Sequence, residues 1–122
     1  MLAGLTETVA SDEECGQLAG ERAYNFFNTD RAGAAIATLD EALGKIADPA
    51  VRAELEAMRA EFLVYSGHYQ PAARLAAGLL ARPGIRGTPL AIGHHITGLA
   101  LLFESQPGQA VARLEQAIAT PG

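Results

Sequence analysis

AYNFFNTDRAGAAIATLDEAL, residues 23–43, has the pattern of two apolar-rich helical segments separated by the short polar turn NTD. The stretch AEFLVYSGHYQPAARLAAGLL, residues 60–80, repeats that pattern 37 residues later, with SGH at its turn. A third copy, GLALLFESQPGQAVARLEQAI, follows after a further 38 residues at 98–118. Three copies of a helix–turn–helix pattern at a nearly constant spacing indicate a helical repeat.

Overlaying the three copies aligns residues of similar size in columns. Ala23, Ala60 and Gly98 coincide on the first helix of each copy. Two antiparallel helices pack closely only where the side chains at their crossing are small, so this column predicts the crossing point. The other aligned sets, most of them small or aliphatic, are Phe26, Leu63 and Leu101; Phe27, Val64 and Leu102; Ala35, Ala72 and Ala110; Leu39, Ala76 and Leu114; Ala42, Leu79 and Ala117; and Leu43, Leu80 and Ile118.

Capping residues mark the starts of three helices. Ser11 and Glu14 have the spacing of a capping box, which predicts a helix from residue 12. Asp48 and Thr88 each precede a proline at a first helical position. The complete set of predicted helices spans about 12–28, 31–47, 49–65, 70–82, 89–104 and 107–119.

These patterns predict an all-α fold of three stacked antiparallel helix hairpins. A single hairpin cannot bury its apolar face, so consecutive hairpins are expected to stack into an array. We expect one domain over residues 1–122, with repeat units of about 12–48, 49–86 and 87–122 and a leader segment at 1–10. No segment alternates with the period of a strand.

Charge and composition exclude several classes of protein. The net charge of −5 disfavours direct nucleic-acid binding, because phosphate contacts need clustered basic residues. Cys15 is the only cysteine, which fits a reducing compartment. The first ten residues lack the pattern of a signal peptide, and the apolar run at 89–103 is too short to span a bilayer. We therefore expect a cytoplasmic protein without membrane contact.

The small-residue columns and the turn at Gly67 and Tyr69 resemble the tetratricopeptide repeat. That family's alanine after the turn corresponds to the column that begins with Ala35. The resemblance implies a right-handed superhelix with a concave groove lined by the first helix of each unit. This sequence departs from the family in repeat length, since its units of 37–38 residues exceed the usual length of about 34. It also lacks the early tryptophan, and Leu79 replaces the second alanine in the second unit.

A narrower resemblance covers residues 20–84. The aromatic segment ERAYNFFN, the stretch DPAVRAELEAMRA and the turn YSGHYQPA are similar to the helical-repeat region of large actinobacterial LuxR-type transcriptional regulators. In that family the repeats lie between an ATP-binding module and a DNA-binding helix-turn-helix, and are thought to receive a signal. This chain contains no GxxxxGK[ST] phosphate loop. The resemblance therefore implies a sensor or scaffold segment.

The adjacent histidines His94 and His95 are the most conspicuous candidates for chemistry. Neighbouring side chains diverge by about 100° on a helix, so the two rings cannot ligate one metal ion from the same face. No carboxylate lies within four residues of the pair. We expect no metal, no cofactor and no catalytic residue, and the alternative of an enzyme using either histidine is not favoured.

The tetratricopeptide register implies which residues line the groove. It places His95 in the groove, although a passive surface or partly packed histidine is the competing interpretation. It directs His94 towards the adjoining hairpin or solvent. Phe103 is open to the alternatives of packing between hairpins or exposure at the open end of the array. The candidate groove residues are Tyr24, Asn28, Glu61, Tyr65, His95 and Phe103.

The sequence thus predicts a non-catalytic interaction or signal-receiving module. Its partner is expected to be a protein, a peptide or a small effector in the concave groove, and the open C-terminal end is expected to allow self-association. One hypothesis is the sensor segment of a LuxR-type regulator. The alternative is a free-standing adaptor that binds a peptide or helix of a partner protein.

Overall fold

The structure, a computed structural model, describes residues 11–103 and 107–119, and these residues form helices and connecting turns without any strand. The prediction of an all-α fold is confirmed. The chain divides into two compact units, Met1–Arg52 and Ala53–Gly122, with the boundary inside the third described helix. The predicted leader at 1–10 lies outside the described residues. The helices are α1 (Asp12–Asn28), α2 (Ala32–Leu43), α3 (Pro49–Tyr65), α4 (Tyr69–Leu80), α5 (Gly87–Phe103) and α6 (Pro107–Ala119).

Helix α1 begins at the predicted capping box. The Glu14 backbone N–H donates to Ser11 Oγ at 3.1 Å, and the Ser11 backbone N–H donates to Glu14 Oε1 at 3.1 Å. This exchange satisfies two donors that the first turn of a helix leaves unpaired. The Ser11 backbone N–H, and then its hydroxyl, lower the pKa of the Glu14 carboxyl. Asp12 and Glu13 add negative charge at the positive end of the helix dipole.

The turn after α1 closes with a left-handed residue. The Arg31 N–H donates to the Phe26 carbonyl at 2.8 Å, and the Asp30 N–H donates to the Phe27 carbonyl at 3.2 Å. Asp30 has φ 66°, the left-handed conformation that a Schellman turn requires at this position. Asp adopts this conformation more readily than most residues because its short side chain is polar.

The turn after α3 repeats this geometry 37 residues later. The His68 N–H donates to the Leu63 carbonyl at 2.9 Å, and the Gly67 N–H donates to the Val64 carbonyl at 3.1 Å. Gly67 is left-handed at φ 88°, at the position equivalent to Asp30. The 37-residue spacing of the aligned sequence columns therefore also separates equivalent hydrogen bonds in the two turns.

Helix α2 is shorter than predicted, ending at Leu43 instead of residue 47. The Arg52 guanidinium donates to the carbonyls of Leu43 and Ile46, with 2.8 Å to the second. It thereby pairs carbonyls that the end of a helix leaves without a partner. The side chain of Ile46 is buried where the chain leaves the helical path.

The link from α2 to α3 is held by two aspartates. Asp48 Oδ1 accepts from the N–H groups of Ala50 at 2.9 Å and Val51 at 3.3 Å, so the predicted cap of α3 is confirmed. Asp12 Oδ2 accepts from the N–H groups of Ala47 at 3.0 Å and Asp48 at 2.8 Å. One carboxylate at the start of α1 thus fixes the chain that enters α3.

Small residues form the contact between α1 and α2 in the first unit. The two helices pack against each other, and Ala23 and Ala35 are completely buried. Leu39 is buried one turn after Ala35 on α2. These are the positions at which the aligned columns place small or aliphatic residues, because close packing leaves no room for larger ones.

In the second unit, α5 packs against both α4 and α6. A buried cluster joins Ala53 and Ala57 of α3 to Leu79 of α4, with Ile85 and Ile92 packed against it. The residues of this unit that the aligned columns place at helix crossings are also buried, namely Ala60, Ala72 and Gly98. The side chain of Ala110, the last member of its column, lies outside the described residues. Stacking of three hairpins into one superhelix stays a prediction.

A nearly buried ion pair ties α3 to the end of α4. Glu56 is 8% exposed, and its carboxylate accepts a hydrogen bond from the Arg82 guanidinium. Arg82 therefore does more than face the negative end of the helix dipole, which is the role its position at the end of α4 suggests. A buried carboxylate needs such a partner because desolvation of an unpaired charge is costly.

Candidate functional site

The predicted groove residues are distributed over both units. Tyr24 and Asn28 lie one turn apart on α1 in the first unit, and both are exposed. Glu61 and Tyr65 lie one turn apart on α3 in the second unit, with the same spacing of four residues. The remaining candidates, His95 and Phe103, belong to α5 in the second unit.

The second unit contains a cleft that includes two of these candidates. Its volume is about 510 Å³, it is a shallow depression largely open to solvent, and α3, α5 and α6 contribute its walls. The lining residues are Glu61 from α3; Ala91, Ile92 and His95 from α5; and Leu114, Ala117 and Ile118 from α6.

The polar edge of the cleft consists of Glu61 and His95, together with Tyr65, which does not line the cleft but is bonded to His95. The Tyr65 hydroxyl oxygen lies 3.3 Å from His95 Nε2, so a hydrogen bond links α3 to α5. The hydroxyl donates when the imidazole carries its proton on Nδ1, and Nε2–H donates to the hydroxyl oxygen in the other tautomer. This bond orients the His95 ring beside the carboxylate of Glu61, which lines the same cleft.

Burial acts on both ionisable groups that α3 contributes to this edge. It raises the pKa of the Glu61 carboxyl above its usual value, because a charged carboxylate loses hydration there. Tyr65 is 58% exposed, and a partial loss of hydration, and then the negative charge of Glu61, raise the pKa of its hydroxyl. The polar edge therefore combines a neutral phenol with a carboxylate that is costly to keep charged.

The opposite wall of the cleft is aliphatic. Leu114, Ala117 and Ile118 follow the i, i+3, i+4 spacing that places side chains on one face of a helix. Leu114 and Ala117 are half-buried, whereas Ile118 is 85% exposed. Ala91 and Ile92 continue this apolar surface on α5.

Overlaying the repeats missed the contribution of α6 to the cleft. Ile118 aligns with Leu43 and Leu80, which are half-buried, but its own side chain is exposed. The i, i+3, i+4 spacing of Leu114, Ala117 and Ile118 is the sequence signal that indicates an apolar face on α6.

The two histidines have different partners. His94 Nδ1 lies 3.4 Å from Arg113 Nη1 of α6, and since a guanidinium only donates, the imidazole nitrogen accepts. His94 thus contacts α6 and is also partly exposed, as the expectation of a solvent-facing side chain allows. Burial, and then the Arg113 charge, lower the pKa of His94, which favours the neutral ring that this contact needs.

Phe103 lies at the far end of α5 and does not line the cleft. Its ring stacks on Tyr69, at the start of α4, with the ring centroids 4.3 Å apart and the planes inclined by 25°. Phe103 is still 53% exposed, and the neighbouring Leu102 is also exposed. The two interpretations of Phe103, packing and exposure, therefore both describe part of its environment.

The lining of the cleft offers binding groups in a compact arrangement. A carboxylate, a hydrogen-bonded phenol–imidazole pair and an aliphatic wall provide one charge, directional hydrogen bonds and apolar contact. Over residues 11–103 and 107–119, no three His, Cys, Asp or Glu side chains converge as a metal-binding group.

Comparisons of the chain with protein-family models, curated proteins and solved structures found no match. Among the helices of the described residues, none has the length and apolar character needed to cross a membrane.

Proposed function

We propose that this chain is a non-catalytic binding module whose ligand lies in the cleft between α3, α5 and α6. The cleft itself carries this proposal, because it combines an apolar wall with a few convergent polar groups. The hydrogen bond from Tyr65 to His95 holds the polar edge in place without a ligand. A preorganised edge lowers the ordering cost of binding.

The proposed context is a tetratricopeptide-like array that acts as the signal-receiving segment of a LuxR-type regulator. Two observations support the array. The turns around Asp30 and Gly67 share their left-handed residue and their hydrogen bonds at a spacing of 37 residues. Small residues are buried at the equivalent positions Ala23 and Ala60. The link to the regulators rests on the sequence resemblance over residues 20–84.

A fragment screen by nuclear magnetic resonance tests the binding module. A mixed library of small-molecule fragments is added to the isotope-labelled chain, and shifts of the backbone amide signals are recorded. We expect the shifts to concentrate at the cleft residues of α3, α5 and α6. Ala117→Trp should abolish them, because the indole fills the cleft from the α6 side.

Ala77→Trp is the matched control, since Ala77 is exposed on α4 and does not line the cleft. It should leave fragment binding unchanged. Binding that persists in Ala117→Trp, or an absence of shifts at the cleft in the original chain, would overturn the proposal.

A protein partner is the second candidate, with the chain acting as an adaptor or associating with itself. It is favoured by the exposed apolar side chains of Leu102 and Phe103 at the end of α5. Sedimentation at increasing concentration should then reveal dimers that Phe103→Ser dissociates. A monomer at the highest concentration would count against self-association.

A further inference from the structure

We propose that the cleft selects a small organic cation with an aliphatic body, held by Glu61 at the polar edge and by α5 and α6 along the apolar wall. This inference rests on the proposed binding function and specifies its ligand class. The juxtaposition that carries it is one carboxylate at the edge of a cleft otherwise lined mainly by Ala, Ile and Leu side chains.

The charge of the lining favours a cation. Glu61 is the acidic residue of the lining, and no Lys or Arg belongs to that lining in the described part of the chain. The basic side chain nearest along α6, Arg113, is directed to His94, and not to Glu61. An ammonium or guanidinium group would therefore meet a carboxylate whose one basic neighbour in the lining is His95, with no Lys or Arg beside it.

The burial of Glu61 strengthens this preference. A half-buried carboxylate loses part of its hydration, and desolvation accordingly raises the pKa of Glu61. A bound cation would compensate for the lost hydration through a charge-assisted hydrogen bond, which is stronger than a bond between neutral groups. An anionic ligand would face repulsion at the same position.

Tyr65 and His95 complete the recognition of an N–H donor. When the Tyr65 hydroxyl donates to His95 Nε2, the phenol oxygen keeps its lone pairs free to accept from an ammonium group. His95 lines the cleft with Glu61, and Tyr65 is bonded to His95, so we expect one cationic group to contact the carboxylate and the phenol together.

The apolar wall specifies the rest of the ligand. Ile92, Leu114 and Ile118 present aliphatic surface, and Ile118 is 85% exposed. Contact between this surface and a hydrocarbon chain removes apolar area of both from water, which favours binding. An alkylamine has this combination of one cationic end and an aliphatic body.

Binding of n-hexylamine, n-hexanol and hexanoate to the complete chain tests this specificity. The three probes share their hydrocarbon body but differ in charge, and backbone amide shifts give their dissociation constants. We expect n-hexylamine to bind at least about 10-fold more tightly than n-hexanol, from the strength of hydrogen bonds to charged groups. Hexanoate should bind most weakly.

Two substitutions assign the effect to the carboxylate. Glu61→Gln should reduce n-hexylamine affinity by about 10-fold or more and leave n-hexanol affinity unchanged. Glu54→Gln is the matched control, since Glu54 is an exposed carboxylate on the same helix and lies outside the cleft lining. It should leave the affinities for both probes unchanged, and unchanged amide spectra outside the cleft would show that both variants fold.

Acidification provides a further measurement. Affinity for n-hexylamine should fall as Glu61 takes up a proton, and burial moves that loss to a higher pH than is usual for a carboxyl group. Tyr65 of α3 and His95 of α5 are the other titratable groups that face the ligand, while the α6 lining consists of Leu114, Ala117 and Ile118. The loss should therefore be much smaller in Glu61→Gln.

The outcomes separate this inference from the proposed function. Equal affinity for n-hexylamine and n-hexanol at the cleft would overturn the cation preference and leave the binding module intact. Stronger binding of hexanoate, or an unaltered n-hexylamine affinity in Glu61→Gln, would also overturn it. Failure of every probe and every library fragment to bind at the cleft would overturn both.

Discussion

Replacing Gly67 by alanine should destabilise the chain through the backbone alone. Gly67 has φ 88°, and a Cβ added there would meet no atom within 4 Å. A left-handed conformation costs an L-residue about 1–2 kcal/mol. Alanine recovers about 0.5–1 kcal/mol because it restricts the unfolded chain more than glycine does. The net loss in unfolding free energy should be about 0.5–1 kcal/mol.

The same substitution at Gly78 should have the opposite sign. Gly78 lies inside α4, is exposed, and would also meet no atom within 4 Å of an added Cβ. Alanine is favoured over glycine in a helix interior by about 0.8–1 kcal/mol. Because neither position has a neighbour to clash with, the two glycines differ in the conformation of the backbone and little else.

Urea and thermal denaturation of the two variants provide the measurement. The unfolding free energies of Gly67→Ala and Gly78→Ala should differ by about 1.5–2 kcal/mol. In a domain of this size that corresponds to a difference in Tm of about 5–10 °C. A Gly67→Ala variant as stable as the original chain would refute the left-handed turn, and with it the geometry shared with Asp30.

Two further substitutions test the packing of the second unit. Gly98→Leu should destabilise by about 1–3 kcal/mol, because Gly98 is buried on α5 where the aligned column predicts a helix crossing; an unchanged Tm would contradict the repeat register. Arg82→Met should cost about 1–2 kcal/mol in urea denaturation, a value reduced from that of a fully buried pair because the Arg82 side chain is 36% exposed. Adding Glu56→Gln should recover part of that loss, and a loss that only grows would argue against the ion pair.

Local sequence signals predicted where α1 and α3 begin, whereas the cap predicted at Thr88 is wrong because α5 already begins at Gly87. Ser11 and Asp48 cap α1 and α3 through bonds to N–H groups two or three residues away, so the information lies within a few residues of each start. The predicted end of α2 was too late although a local signal was present, since Gly44 follows Leu43 and is the C-cap. Arg52 binds the Leu43 carbonyl from nine residues further along the chain, a contact that the residues beside the helix end do not indicate.

The sequence predicted the polar edge of the candidate site but not its apolar wall on α6. The groove register selected Glu61 and His95, because it specifies which residues of each first helix share a face. It could not select Ala117 and Ile118, because both lie on α6, the second helix of its unit, and the register covers first helices alone. Ile118 also differs from its aligned residues, since Leu43 and Leu80 are half-buried whereas Ile118 is exposed. A repeat alignment predicts features that the units have in common, so it does not predict an exposed apolar residue that occurs in one unit alone.

The adjacent histidines illustrate how one helix serves both packing and recognition. Since neighbouring side chains diverge by about 100°, α5 directs His94 to Arg113 of α6 and His95 to Tyr65 of α3. The first contact joins the two helices that supply the apolar wall, and the second fixes the polar edge opposite. A neutral His94 accepts from Arg113, and the lowered pKa of His94 keeps it neutral over a wider range of pH. The adjacent histidines thus link α5 to α3 on one side and to α6 on the other.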